Sequence, residues 1–330
     1  MNIKNIHQPA TWETSKTTEL LDRRRRRVKK GIEEIQYIRS NFNSNFNLGG
    51  FLHETIVSLG YSNHYSNDND TFNLLCYYSQ LNYANFLIRF NVGKPVQFAI
   101  ADRQIETIGE FKNSEIGTGH VIAGIAAARI LRNQPFLDFY ANIPVTLTEQ
   151  QNQEDIIGET MMYFYQTLIK GEADKDTAAV THYHINSFLD WEEYKKYIKV
   201  EGYNSLPIWK TVFDMRKPTT ASCLLPVLEI YHYILHKDQA GYEKAVYEAL
   251  VKWKEYFTKP VYTYPDEPGR EFDHSTYPQG YLALEIAAAC AFAYERGMKL
   301  ETIESDYIPK WMIEGRFEDF ELLVKGDSPA

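Results

Sequence analysis

The chain has 330 residues, 44% of them hydrophobic and 24% charged, with a net charge of −9. That composition supports a sizeable core, and it excludes a wholly disordered chain. There is no run of about 18 apolar residues, so no membrane-spanning helix and no membrane association is expected.

The segment MNIKNIHQPATWETSK lacks an apolar stretch, so no secretory signal is expected. Cys76, Cys223 and Cys290 are too few and scattered for a disulfide framework or a zinc ribbon. They read as small hydrophobes in a reducing cytoplasm.

Residues 16–41 read as a long helix capped at Thr17 or Thr18, with Leu20, Leu21, Val28, Ile32, Ile35 and Ile38 on its apolar side. It carries the run Arg23 to Arg27, then Lys29 and Lys30. Five consecutive arginines point around nearly the whole helix circumference. Glu19, Asp22, Glu33 and Glu34 lie at spacings that can pair with them. A solvated, salt-bridged helix is favoured over a partner-binding patch or a nucleic-acid contact.

Residues 48–60 and 71–91 read as helices, separated by the turn-forming NHYSNDND. Alternation at Val96, Phe98, Ile100, Ile105 and Thr107 then predicts a β-hairpin near residues 95–111, the one regular β-structure expected. Helical spacing resumes over 114–133. The glycines of GTGHVIAG there read as sites of close helix contact, since their spacing is wrong for a dinucleotide loop. Pro144 stops any helix reaching it. Further helices are expected at 153–170, 175–200, 206–216, 219–237 with a kink at Pro226, 239–258 and 280–296, then a short one around 308–313. Gly297 suits the end of the apolar helix. The expected fold is therefore all-α, about ten helices with one hairpin. A single domain over 1–330 is preferred. It comprises an N-terminal helical region (residues 1–92), the hairpin, a helical core (114–313) and a polar tail (314–330).

Charge is unevenly spread. Residues 1–150 hold 16 basic and 14 acidic side chains, and residues 151–330 hold 19 and 30. The acidity thus belongs to the second stretch. It disfavours nucleic acid and favours a basic partner.

No nucleophile elbow, zinc-protease or phosphate-loop motif is present. Glu229 and His232 stand at a spacing that shares a helix face, with His236 one turn on, and Glu271 and His274 repeat it. Such pairs hold metal in helical bundles, so Glu229, His232 and His236 are the candidate ligands of a metalloenzyme. The second pair, however, lies in the proline-rich stretch 259–280. His182 and His184 diverge on a helix and read as surface histidines. The same proline-rich stretch gathers Tyr262, Tyr264, Asp266, Glu267, Glu271, Asp273 and Tyr277. Acidic side chains among rigid tyrosines suit a protein-contact surface.

The segment HSTYPQGYLALEIAAACAFAYERGMKLETIESDYIPKWMIEGRF resembles the end of the immunity protein 49 family of bacterial polymorphic toxin systems. Leu282, Ala283 and Leu284 open the apolar helix, Gly297 follows it, and Ser305, Asp306, Tyr307, Ile308 and Pro309 form the turn. LEIYHYILHKDQAGYEKAVYEALVKWKEYF and GHVIAGIAAARILRNQPFLDFYANIP are similar to the family's helix pair and central helix. These are packing motifs, so the resemblance assigns no functional residue. Tyr307 and Pro309 read as a turn locking the last helix.

The resemblance implies a helical, cytoplasmic, non-enzymatic protein without a cofactor. It would bind and neutralise a cognate toxin domain, a basic one by charge complementarity, as a monomer or homodimer. The alternatives are the helical metalloenzyme above and an interaction scaffold with a non-toxin partner.

Overall fold

The computed structural model describes residues 4–6, 22–23, 26–27, 29–31, 33, 37, 48–101, 103–110, 117–144, 155–197, 206–258, 262–263, 271–272 and 277–321. It is mostly helical, with small two-stranded pairings. Contacts divide the chain into two units: residues 1–9 with 117–314, and residues 10–116 with 315–330.

In the second of these, α1 (Leu48–Tyr65) packs on α2 (Asp68–Phe90). Asn67 starts α2 by accepting the Asp70 N–H at 2.9 Å, which satisfies one of the free amides of the first turn. Leu52, Leu59, Leu74, Leu75, Leu81 and Phe86 are buried there. The hairpin of β2 (Pro95–Ile100) and β3 (Arg103–Ile108) follows, with Phe98 opposite Ile105. Its turn residue Ala101 has φ +58°, and the Gln80 amide oxygen accepts the Ala101 N–H at 2.6 Å. Phe317 and Phe320 return to stack on Phe72.

The described positions of the arginine run are helical. Arg27 pairs with Glu54 of α1, and Lys29 pairs with Glu33 one turn on. The run is thus held partly by tertiary contact and not only by spacing along one helix. Arg24, Arg25 and the expected caps Thr17 and Thr18 lie outside the described residues.

The larger unit is built around α3 (Thr118–Ile130), whose small residues Gly124, Ala126, Ala127 and Ala128 are buried. It packs on α4 (Gln134–Ala141), α5 (Ile156–Lys170) and the alanine-rich α11 (Leu284–Tyr294). The buried Gln166 of α5 donates to the carbonyls of Tyr140 and Ile143 at the end of α4. The helix expected over 175–200 is split into α6 (Thr177–Ser187) and α7 (Trp191–Tyr194), because Asp190 caps a new start with its carboxylate.

Next, α8 (Leu206–Thr219) runs through a π-helical turn, Thr220–Leu224, into α9 (Leu225–Leu235). Proline lacks an amide hydrogen and crowds the carbonyl four residues back. Pro218 and Pro226 flank this turn, and the Leu225 N–H bonds to the Thr220 carbonyl instead. The expected kink is therefore a widened turn ahead of Pro226. The pair is completed by α10 (Gln239–Thr258), which packs on α9.

Gly297, at φ +80°, terminates α11, and the Met298 N–H reaches back to the Ala293 carbonyl. The Tyr307 carbonyl accepts the Ala283 N–H at 2.9 Å, and Pro309 opens α12 (Lys310–Glu314). The expected turn locks the two helices in this way. Arg132, at the end of α3, donates to the Met312 carbonyl at 2.7 Å and faces Glu295.

The hairpin is not the sole β-structure. β1 (Lys4–Asn5) pairs parallel with β6 (Ile303–Glu304), and β4 (Tyr262–Thr263) pairs antiparallel with β5 (Glu271–Phe272). These pairings span two residues per strand, too short to register as sequence alternation.

Candidate functional site

In the larger unit, the start of α3, the start of α5, the π-helical turn and the end of α10 surround a cavity of about 500 Å³. Each wall has a local cause. α3 opens on Gly117 and Gly119, where a side chain would meet nothing within 4 Å. These two glycines therefore do not serve the close helix contact expected of them; Gly119 borders the cavity instead. The π-helical turn brings Thr219, Thr220 and Leu224 to the opposite wall. Turns of this kind recur at functional sites. Met215, Tyr256, Phe257 and Tyr277 supply sulfur and aromatic surface.

Two carboxylates stand in the cavity in contrasting states. Asp155 is the N-cap of α5. It accepts the Gly158 N–H at 3.1 Å, the Thr118 hydroxyl at 2.8 Å and the Arg216 guanidinium at 2.6 Å. Its charge is fully answered.

Glu285 lies in the first turn of α11. No cation or side-chain donor pairs with it among the described residues. It is half-buried and borders the cavity. The atoms packed around it push its carboxyl above the ordinary carboxylate range, against a smaller opposing pull from its own backbone N–H. On the same cavity, the Gln279 Oε1 is a second acceptor without a donor among the described residues. Tyr256 shares a 2.6 Å hydroxyl contact with Thr219, and burial pushes its phenol up to about 12.

The chain matches the family described as Immunity protein 49 over residues 79–312. The protein belongs to the Immunity protein 49 family. No curated protein and no solved structure matches it. The family region contains the entire cavity, and it also contains the Tyr307–Pro309 turn.

Of the residues expected to contact a partner, Tyr277 is 39% exposed and lies on the cavity. The backbones of Tyr262 and Glu271 are placed in β4 and β5. Their side chains, with Tyr264, Asp266, Glu267 and Asp273, lie outside the described residues.

Glu229, His232 and His236 follow one another along α9 and its cap. The imidazoles of His232 and His236 are 4.2 Å apart, and the His236 Nδ1 lies 2.9 Å from the His232 carbonyl. Among the described residues, no three His, Cys, Asp or Glu gather in a way that could hold a metal ion. His274 lies outside them.

His182 is half-buried and His184 exposed on α6. No described helix is long and apolar enough to cross a membrane.

Sequence reasoning missed Asp155 and Glu285. Both left a signal. Asp155 precedes a helix at a capping position, and Glu285 is the lone charge in YLALEIAAACAFAY. A carboxylate in so apolar a run needs a partner or a purpose.

Proposed function

We propose that this member of the Immunity protein 49 family binds a cognate toxin domain of a bacterial polymorphic toxin system. It neutralises that domain stoichiometrically, in the cytoplasm and without a cofactor. The observation that carries this reading is the family match across residues 79–312. Charge supports it: the acidity concentrated beyond residue 150 suits a basic toxin, whose approach it accelerates.

The contact surface on this reading is the stretch 262–277, acidic and rich in tyrosine, with Tyr277 exposed at its end. A typical interface covers about 800 Å² per partner, so it would extend past this stretch onto neighbouring helices.

Co-expression with the product of the adjacent gene tests the function. The expected result is growth rescue and a co-purifying complex of fixed stoichiometry. Toxicity without rescue and without a complex would refute it. The surface is tested separately by reversing Asp266, Glu267 and Asp273 to Lys together. This should weaken the complex and flatten its salt dependence, whereas unchanged affinity would move the contact elsewhere.

A further inference from the structure

Among the described residues, two acceptors on the cavity beside Tyr277 lack a side-chain donor: Glu285, answered only by its own backbone N–H, and the Gln279 Oε1. The neighbouring charges cancel, because Arg216 is committed to Asp155 at 2.6 Å. Among the described lining residues, the charge left unanswered is therefore that of Glu285. Its walls are aromatic and aliphatic: Met215, Tyr256, Phe257, Tyr277 and Leu224.

A group that fits must bring several donors, a positive charge and an apolar stem. A carboxylate or phosphate would face Glu285 without a free cation among the described lining residues to hold it. A purely apolar group would bury both acceptors unsatisfied, at a cost for each. Lysine and arginine side chains carry donors only, and their methylene stems pack on apolar surface. A guanidinium also stacks favourably on aromatic rings.

We propose that this cavity receives a basic side chain, an arginine or a lysine, projected by the protein that the chain binds, with Glu285 as its counter-charge and Gln279 as a second acceptor. The inference rests on the partner-binding reading above and specifies how that partner is held. Tyr277 links the two, since it belongs both to the expected contact stretch and to the cavity lining. On this geometry the inserted side chain is a buried anchor of the kind that dominates interface energetics.

The test uses the full chain and three small probes of similar size: n-propylguanidinium, the neutral N-propylurea and the anion butyrate. Binding is followed by NMR shifts at Glu285 and by thermal stability. Propylguanidinium should bind in roughly the millimolar range expected of so small a ligand, and should shift Glu285, while the other two should not. Glu285→Gln should weaken propylguanidinium binding about tenfold or more, with Glu248→Gln on α10 as the control that leaves it unchanged. Equal binding by wild type and Glu285→Gln, or preference for butyrate or the urea, would overturn the proposal.

With a partner in hand from co-expression, Glu285→Gln should also weaken the complex about tenfold or more, and unchanged affinity would overturn the insertion. A neighbouring gene product that the wild-type chain does not bind would refute the immunity reading by itself. The probe titration would still decide whether the cavity takes a cation.

Discussion

Asp155 joins two distant regions of the larger unit: its Oδ1 lies 2.6 Å from the Arg216 guanidinium while the same carboxylate caps α5. Removing the carboxylate therefore strips three donors at once. Asp155→Ala should destabilise the protein by about 2–3 kcal/mol, adding a lost cap to a broken hydrogen-bond network. Asp155→Asn keeps an oxygen for the Gly158 N–H and should cost about half as much. Arg216→Ala should cost under about 1 kcal/mol, since Arg216 is well exposed and such pairs contribute little. Urea unfolding of the three variants checks the order, and equal losses for all three would contradict it.

Glu285 makes stability depend on pH. Its carboxyl is raised in the folded state, so over the window from the ordinary carboxylate value up to the raised one the native chain holds a proton that the unfolded chain has released. Stability attributable to this group is present below that window and falls as pH rises through it. Glu285→Gln abolishes this fall and should gain stability relative to wild type on going from about pH 4 to pH 7. The other ionisable groups around the cavity are Asp155, Arg216, Tyr256 and Tyr277, so the comparison is made against the single variant. Parallel wild-type and Gln profiles in melts across that range would show that the carboxyl is not desolvated.

Tyr307 separates the value of a ring from that of its hydroxyl. It is fully buried, and its hydroxyl has no hydrogen-bond partner among the described residues. Tyr307→Phe removes a buried polar group left unpaired, so it should be neutral or stabilising by up to about 1 kcal/mol. Tyr307→Ala empties the space and should cost about 3–5 kcal/mol. A clear loss in the Phe variant would mean that the hydroxyl is bonded in solution.

His232 and His236 give a test of metal dependence. A chelator should leave the melting temperature unchanged, and elemental analysis of the purified protein should find iron, zinc and manganese well below one per chain. A stoichiometric metal lost on His232→Ala would favour an enzyme over a binder.

The order of helices was legible because the apolar spacing is strong and the punctuation clear. Gly297 and Pro144 mark helix ends as expected, and the helix expected over 153–170 ends at Gly171. The break at Asp190 was hidden by its setting: SFLDWEEY keeps helical spacing, and only a capping carboxylate before two glutamates betrays it.

Pro226 announced a kink but not its form, because a proline alone does not say whether the helix bends or widens to a π-helical turn. The cavity was illegible for a different reason. Its walls come from Gly119, Asp155, Thr220, Tyr256, Gln279 and Glu285, which no local pattern connects. The histidines drew attention by type, while Glu285 sat unremarked in an apolar helix.

The pairing of Lys4 with Ile303 has a consequence for how the chain is made. The larger unit owns residues 1–9 as well as 117–314, with the other unit's residues 10–116 threaded between them. A single protease cut at residue 116 would therefore not release a whole unit, because the strand belonging to the downstream piece would leave with the upstream one. On the ribosome, residues 4 and 5 must wait until residues 303 and 304 emerge before their neighbour strand exists. Closing so long a loop is entropically costly unless the intervening helices have already brought its ends together. β1 is thus made long before the strand it docks against.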